Sequence, residues 1–138
     1  MRRFLGTSLL VGAVSLAATV LAQSTTPPTA QLPSGIKRTP LQTVDVPGTS
    51  YNAITGLAEI APSASIGRHT HPGPETGYMI EGEMILMIDG QPPKVVKAGE
   101  SYQVPPGAVH DAKSGEKGAK VMAVYVIEKG KPLATPAP

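Results

Sequence analysis

The chain of 138 residues contains three histidines, at positions 69, 71 and 110. His69 and His71 lie close to Glu75 in the stretch from Gly67 to Gly82, G-R-H-T-H-P-G-P-E-T-G-Y-M-I-E-G. His110 ends a second stretch that starts at Gly99, G-E-S-Y-Q-V-P-P-G-A-V-H. Imidazoles and a carboxylate at such spacings are the donor groups of a metal site. There is no cysteine, so thiolate ligands and disulfides are excluded and any ion must be held by nitrogen and oxygen.

The spacing says how the four could meet. Residues two apart on a strand point the same way, so His69 and His71 share a face and Thr70 points outward. Pro72-Gly73-Pro74 forms a bend after which the chain returns, with Glu75 opposite the two imidazoles. His110 follows a second tight turn, Pro105-Pro106-Gly107, and opens a strand that can reach the same interior point. Three neutral imidazoles and one carboxylate suit a divalent transition metal, Fe, Mn, Ni, Co, Cu or Zn. They suit calcium and magnesium poorly, because those prefer oxygen shells. A six-coordinate ion would keep two positions for water or substrate, the mark of a site that exchanges ligands. With every histidine committed, no serine–histidine–aspartate arrangement remains, and no glycine loop cradles a phosphate. Catalysis would therefore run through the metal, with Glu75 as its base.

The elements that must position these residues are short strands. Gly and Pro are each 15, and they punctuate apolar runs that suit an all-β domain. Strands are expected over 41–46, 51–61, 76–81 and 84–88, with a turn at Gly82-Glu83 and another at Asp89-Gly90. Further strands are expected over 94–96, 100–104, 109–112 and 120–128, with a polar turn over 114–118. Outside the first 22 residues no stretch carries a helical period over three turns, so the pattern is that of a sandwich or barrel. Strand parity places Gly77 and Met79 on the inward face with Glu75, and Gly77 would leave room near the metal. Met84, Leu86 and Ile88, or else Ile85 and Met87, line the facing wall. Tyr102 either donates a hydrogen bond in the metal region or covers the rim. Arg68 and Asp111 face away.

The two stretches together resemble the motifs of a small single-domain cupin. The first motif, G-x5-H-x-H-x3,4-E-x6-G, is met from His69 to Gly82, except that Ser63 stands where its leading glycine falls. The second, G-x5-P-x-G-x2-H-x3-N, is met from Gly99 to His110, with Ser114 in the final position. The resemblance covers about residues 41 to 130. It implies a cupin-type double-stranded β-helix, a jelly-roll barrel, with a metal held by His69, His71, Glu75 and His110, and it implies homodimers. It also implies dioxygenase or isomerase chemistry on a small oxygenated compound such as an enediol, diketone or flavonol. Two other functions compete: a non-catalytic module that presents the metal to a small ligand for binding or sensing, and a barrel whose metal only holds strands together.

Around this domain, 41–131, the chain changes character. Residues 1–22 carry Arg2 and Arg3 before an uncharged run ending Val20-Leu21-Ala22, a signal peptide for export to the periplasm or beyond. An uncleaved leader would be the sole membrane attachment. Residues 23–40 are expected to be a flexible Pro-rich linker, and 132–138 a disordered tail. Without Arg2 and Arg3, the 12 basic residues are reduced to match the 10 acidic ones. A neutral mature chain with no basic block argues against nucleic acid as a partner and leaves a small molecule.

Overall fold

The computed structural model describes residues 35–138; the leader and the first part of the expected linker lie outside the described residues. Eight strands and no helix make up the described chain: β1 (Ile36–Asp45), β2 (Tyr51–Ile60), β3 (His69–Thr70), β4 (Glu75–Ile88), β5 (Lys94–Lys97), β6 (Ser101–Val104), β7 (His110–Glu128) and β8 (Thr135–Pro136). All pair antiparallel in one curled sheet.

Two long strands bind the sheet together. β4 lies beside β7 from one end to the other, from Glu75 opposite Tyr125 to Ile88 opposite His110. At one end β7 is flanked on its other side by β2, which pairs with β1, while β4 is flanked by β6. At the other end β7 is flanked by β3, which pairs with β8, while β4 is flanked by β5. The jelly-roll barrel expected from the motifs is the observed fold.

Inside lies an aliphatic core built on Met79, Met84, Leu86, Val96, Val104, Val121 and Ile60. Burial alternates along the strands, as it must when one face of a pleated sheet is dry. In β4 the buried residues are odd-numbered through Glu75, Gly77 and Met79, then even-numbered through Met84, Leu86 and Ile88. In β7 they are even-numbered through His110, Ala112 and Ser114, then odd-numbered through Ala119, Val121 and Ala123. Both switches fall where the register between the two strands shifts, between Met79 and Met84. An irregularity of this kind adds a residue to one strand and turns its sequel onto the other face. Gly82 and Gly118 meet at this crossing, both at positive φ. A Cβ on Gly82 would come 2.1 Å from the Gly118 carbonyl oxygen.

Four expectations change accordingly. Gly82-Glu83 is a kink within one 14-residue strand and not a turn between two. Likewise 114–118 lies within β7, because Ser114 and Ala119 both hold places in the ladder with β4. The linker ends earlier than its composition implies: β1 begins at Ile36, where pairing with β2 and burial of Ile36 outweigh the nearby prolines. Pro40 is accommodated at the shift in register between Pro40 and Gln42, on an edge strand. Finally, the tail is not free. Thr135 and Pro136 pair with Thr70 and His69, giving a backbone-bonded strand to residues whose side chains have little to bury.

Candidate metal centre

His69 lies on β3, His71 begins the bend after it, Glu75 starts β4 and His110 starts β7. Each of the four offers a ligand atom within 4.8 Å of the others, so all the sequence-predicted ligands come together. The convergence follows from pairing: His69 stands opposite His110 between β3 and β7, and His110 stands opposite Ile88 of β4. The Pro-Gly-Pro bend folds back hard against β7. A Cβ on Gly73 would lie 1.7 Å from the Val126 carbonyl oxygen, so only glycine lets the bend pack there.

His71 Nε2 is 3.0 Å from Glu75 Oε2 and 3.2 Å from His69 Nε2, and His110 Nε2 is 3.4 Å from Glu75 Oε2. Ligands on a single ion at bonds of ~2.1 Å sit ~3.0 Å apart at right angles and ~3.4 Å apart at tetrahedral angles. The separations therefore fit a common ion.

The protons point the same way. The Nδ1 atoms face carbonyl oxygens: Gly67 for His69 at 2.7 Å, Ala108 for His110 at 3.0 Å and Leu133 for His71 at 2.5 Å. A carbonyl only accepts, so each Nδ1 carries a proton, and each Nε2 is left to present a lone pair to an ion or, on a ring that takes up a second proton in the metal-free centre, to donate to Glu75. Two such lone pairs at 3.2 Å repel, and a cation between them turns the repulsion into binding. His71, Glu75 and His110 are buried, and His69 is half-buried at the open side.

Burial alone would push the Glu75 carboxyl up. Hydrogen bonds from His110, His71 and Tyr102 overcome this and hold it far below the usual carboxylate range, so it stays ionised. Burial lowers His69, against the pull of the Gly67 carbonyl. Burial also acts to lower His110, but its hydrogen bond to Glu75, together with the Ala108 carbonyl, raises it on balance.

Tyr102, on β6, donates its hydroxyl to Glu75 Oε1 at 2.7 Å. Burial and the adjacent carboxylate drive its pKa well above the ordinary phenol value, so it remains a donor. Tyr102 thus does donate in the metal region. Gly77 is inward as parity requires, but the room it leaves is taken by the tyrosine: a Cβ there would stand 2.3 Å from the Tyr102 ring. Met84, Leu86 and Ile88 are the buried set on the facing wall, and Ile85 is exposed.

Arg68 and Asp111 do face away, and both tie down the segment around His69. Arg68 forms two hydrogen bonds to the Asp89 carboxylate and a third to the Pro138 carbonyl oxygen. Asp111 accepts from the Gly67 backbone at 2.8 Å and the Ser65 hydroxyl at 2.6 Å. Ser114, in the motif's final asparagine position, donates to the Ala61 carbonyl at 2.6 Å and accepts from the Ala64 backbone at 3.1 Å. It closes the loop before β3 with a shorter side chain.

Three contributors lie outside both sequence motifs: Tyr125, the Leu133 carbonyl and Arg38. Tyr125 packs on His71, with ring centroids 4.8 Å apart. Leu133 acts through its backbone, which leaves no mark on residue type. Arg38 sits in a stretch whose composition points to a linker. The one signal for it was its place two residues after Ile36, on the same face of an extended chain.

Comparison with known proteins agrees with this architecture. A dimethylsulfoniopropionate lyase, DddW, of Ruegeria pomeroyi is 33% identical over 67 residues, 49% of this chain; the match spans 43% of the relative's length. The DMSP lyase DddQ of Ruegeria pomeroyi superposes with a TM-score of 0.63 at 14% identity, over 75% of this chain and 52% of that one. An oxalate decarboxylase of Bacillus subtilis gives 0.64 at 23% identity, over 77% and 29%. KdgF of a Halomonas species gives 0.58 at 18% identity, over 70% and 82%. At these identities the solved structures speak for the fold alone. Residues 56–127, which hold all four converging side chains, the whole of β4 and all but the last residue of β7, match the cupin-domain family model, and the chain belongs to that family.

Proposed function

We propose that the chain is an exported metal-dependent enzyme that moves a proton on a small oxygenated compound, cleaving or isomerising it. The observation that carries this reading is the convergence of His69, His71, Glu75 and His110, with Tyr102 bonded to the free oxygen of Glu75. A divalent transition metal held by the four would supply Lewis acidity to a substrate oxygen. The chain's own groups do the rest. The three carbonyls fix the imidazoles. Glu75 is ionised and can accept a proton; its low proton affinity makes it a relay that passes the proton on. The Tyr102 hydroxyl orients the carboxylate and can share the proton at Oε1.

The sequence relative DddW carries the name of a lyase, which supports bond cleavage. A dioxygenase-type reaction is the second reading, favoured by the donor set, which suits Fe(II). The test is turnover of small enediols, diketones and hydroxy acids by protein loaded with Fe(II), Mn(II), Co(II), Ni(II), Cu(II) or Zn(II), with and without oxygen. Metal-dependent turnover under anaerobic conditions is expected. Turnover only with oxygen selects the dioxygenase. Saturable binding without turnover for any metal overturns both in favour of a binding module.

The leader reading carries the export proposal: cleavage after Ala22 leaves Gln23 first, in the periplasm or outside. A chain recovered from that compartment that still starts at Met1 would overturn cleavage. A second copy is the proposed partner of the outer sheet face, where Tyr78 stands opposite Met122 and Ile85 opposite Val95, all exposed. Sedimentation as a monomer at micromolar concentration would refute it.

A further inference from the structure

Two arginines fall among the described residues, and their surroundings differ. Arg68 has a bidentate partner in Asp89. Arg38 has no hydrogen-bond or ion-pair partner among the described residues, although it is half-buried. It follows Ile36 on the inward face of β1, opposite Ala58. It lines the same cavity as His69, Glu75, His110, Tyr102 and Tyr125. Its charge acts on the Tyr125 hydroxyl, lowering a pKa that burial and Glu75 otherwise raise, and Tyr125 packs on His71. A guanidinium is always charged and presents a planar fork of donors that matches a carboxylate.

Charge balance completes the argument. Among the described residues Glu75 is the only acidic group lining the cavity, and its oxygens are already committed to His71, His110 and Tyr102. A divalent ion plus Arg38 against one carboxylate leaves the cavity in excess of positive charge. The remaining walls, Ile60, Met84, Leu86, Val121 and the alanines, neutralise nothing.

We propose that Arg38 is the anion-recognising residue of this cavity and that the ligand is a small carboxylate, gripped by Arg38 at one end and facing the metal at the other. This rests on the metal-site reading above and narrows the substrate to an acid. Arg38 is a specificity residue; it stands outside the ion's ligand set.

The test uses the mature full-length chain loaded with Co(II), whose visible spectrum reports ligands at the ion. The probes are glycolate and its neutral isostere glycolamide. Glycolate is expected to perturb the spectrum saturably and to bind more tightly than glycolamide. In R38Q the Co(II) content is expected to stay unchanged while glycolate affinity falls roughly tenfold or more, the usual worth of a hydrogen bond to a charged group. Glycolamide should bind both proteins alike, and R38K, which keeps the charge but loses the fork, should fall between wild type and R38Q in glycolate affinity. Equal glycolate affinity in wild type and R38Q overturns the assignment, as does a glycolamide affinity that falls in R38Q as far as that of glycolate. A wild-type chain that takes up no Co(II) sinks the metal site and this inference together. Arg38-dependent glycolate binding without turnover of any acid sinks the enzyme reading and leaves this one standing.

Discussion

The imidazoles of the centre are supported in two different ways. His69 and His110 are each held by the carbonyl two residues earlier in the chain, Gly67 and Ala108. Wherever the local backbone forms, these two rings are oriented with it. His71 is held by Leu133, 62 residues away, on the tail that β8 fastens beside β3. The same cage thus has two locally oriented ligands and one whose orientation depends on a distant segment. The first kind is cheap in chain entropy, since no loop has to close. The second makes a metal ligand answerable to how firmly the tail is docked.

The comparison can be broken or sharpened by experiment. Replacing a ligand outright should have the largest effect: His71→Ala and His110→Ala are each expected to abolish stoichiometric metal retention after dialysis against a chelator. Full retention in both would mean the cage is wrongly assigned. Deleting residues 132–138 comes next. It removes the Leu133 carbonyl and β8, and outer support of this sort is worth roughly 10- to 100-fold in metal affinity. Affinity equal to wild type would show that the distant support is idle.

Gly77→Ala should cost about 1–3 kcal/mol, because its methyl group must displace the Tyr102 ring. Thermal unfolding with and without metal measures this, and an unchanged midpoint would mean the ring moves freely. The fourth effect is smaller and depends on pH. His110 has a raised pKa, so on acidification it takes up a proton above the ordinary imidazole value, and metal affinity should begin to fall there. In the metal-free protein the sign reverses. The proton on His110 stabilises the fold below the unfolded pKa, and that contribution is lost as pH rises through the folded one. A metal-free midpoint that climbs through this window would contradict the pairing with Glu75. Arg68→Ala should matter least to stability. Its pair with Asp89 is exposed and screened by solvent, so it adds little to stability. It also anchors Pro138, so the informative readout is amide exchange in the tail, expected to quicken.

The two kinds of support also mark how much was legible beforehand. His69, His71, Glu75 and His110 announced themselves because metal ligands are restricted to a few side-chain types and strand parity fixes their direction. The inward placing of Gly77 and Met79 followed from the same parity. The Leu133 carbonyl was invisible, since every residue carries one. Arg38 was hidden by the prolines and small polar residues around it, which describe a linker until pairing with β2 is taken into account. The merging of the expected strands into β4 and β7 failed for another reason. Gly82 and the polar run 114–118 have turn composition, yet their backbones cross at a shift in register, where glycine is needed for close approach as much as for reversal.

That crossing bears on which changes in length the chain can absorb. A polar, largely exposed run such as Gly115–Lys117 is ordinarily where a residue is gained or lost without harm. In this molecule the inward numbering changes from even to odd there, in step with the opposite change in β4. A single-residue deletion in β7 alone would keep one half of the strand in place and rotate the other half inside out, presenting either His110 or Val121 to solvent. Homologous chains should therefore vary in length at this point only by compensated changes in both strands, or by two residues at a time.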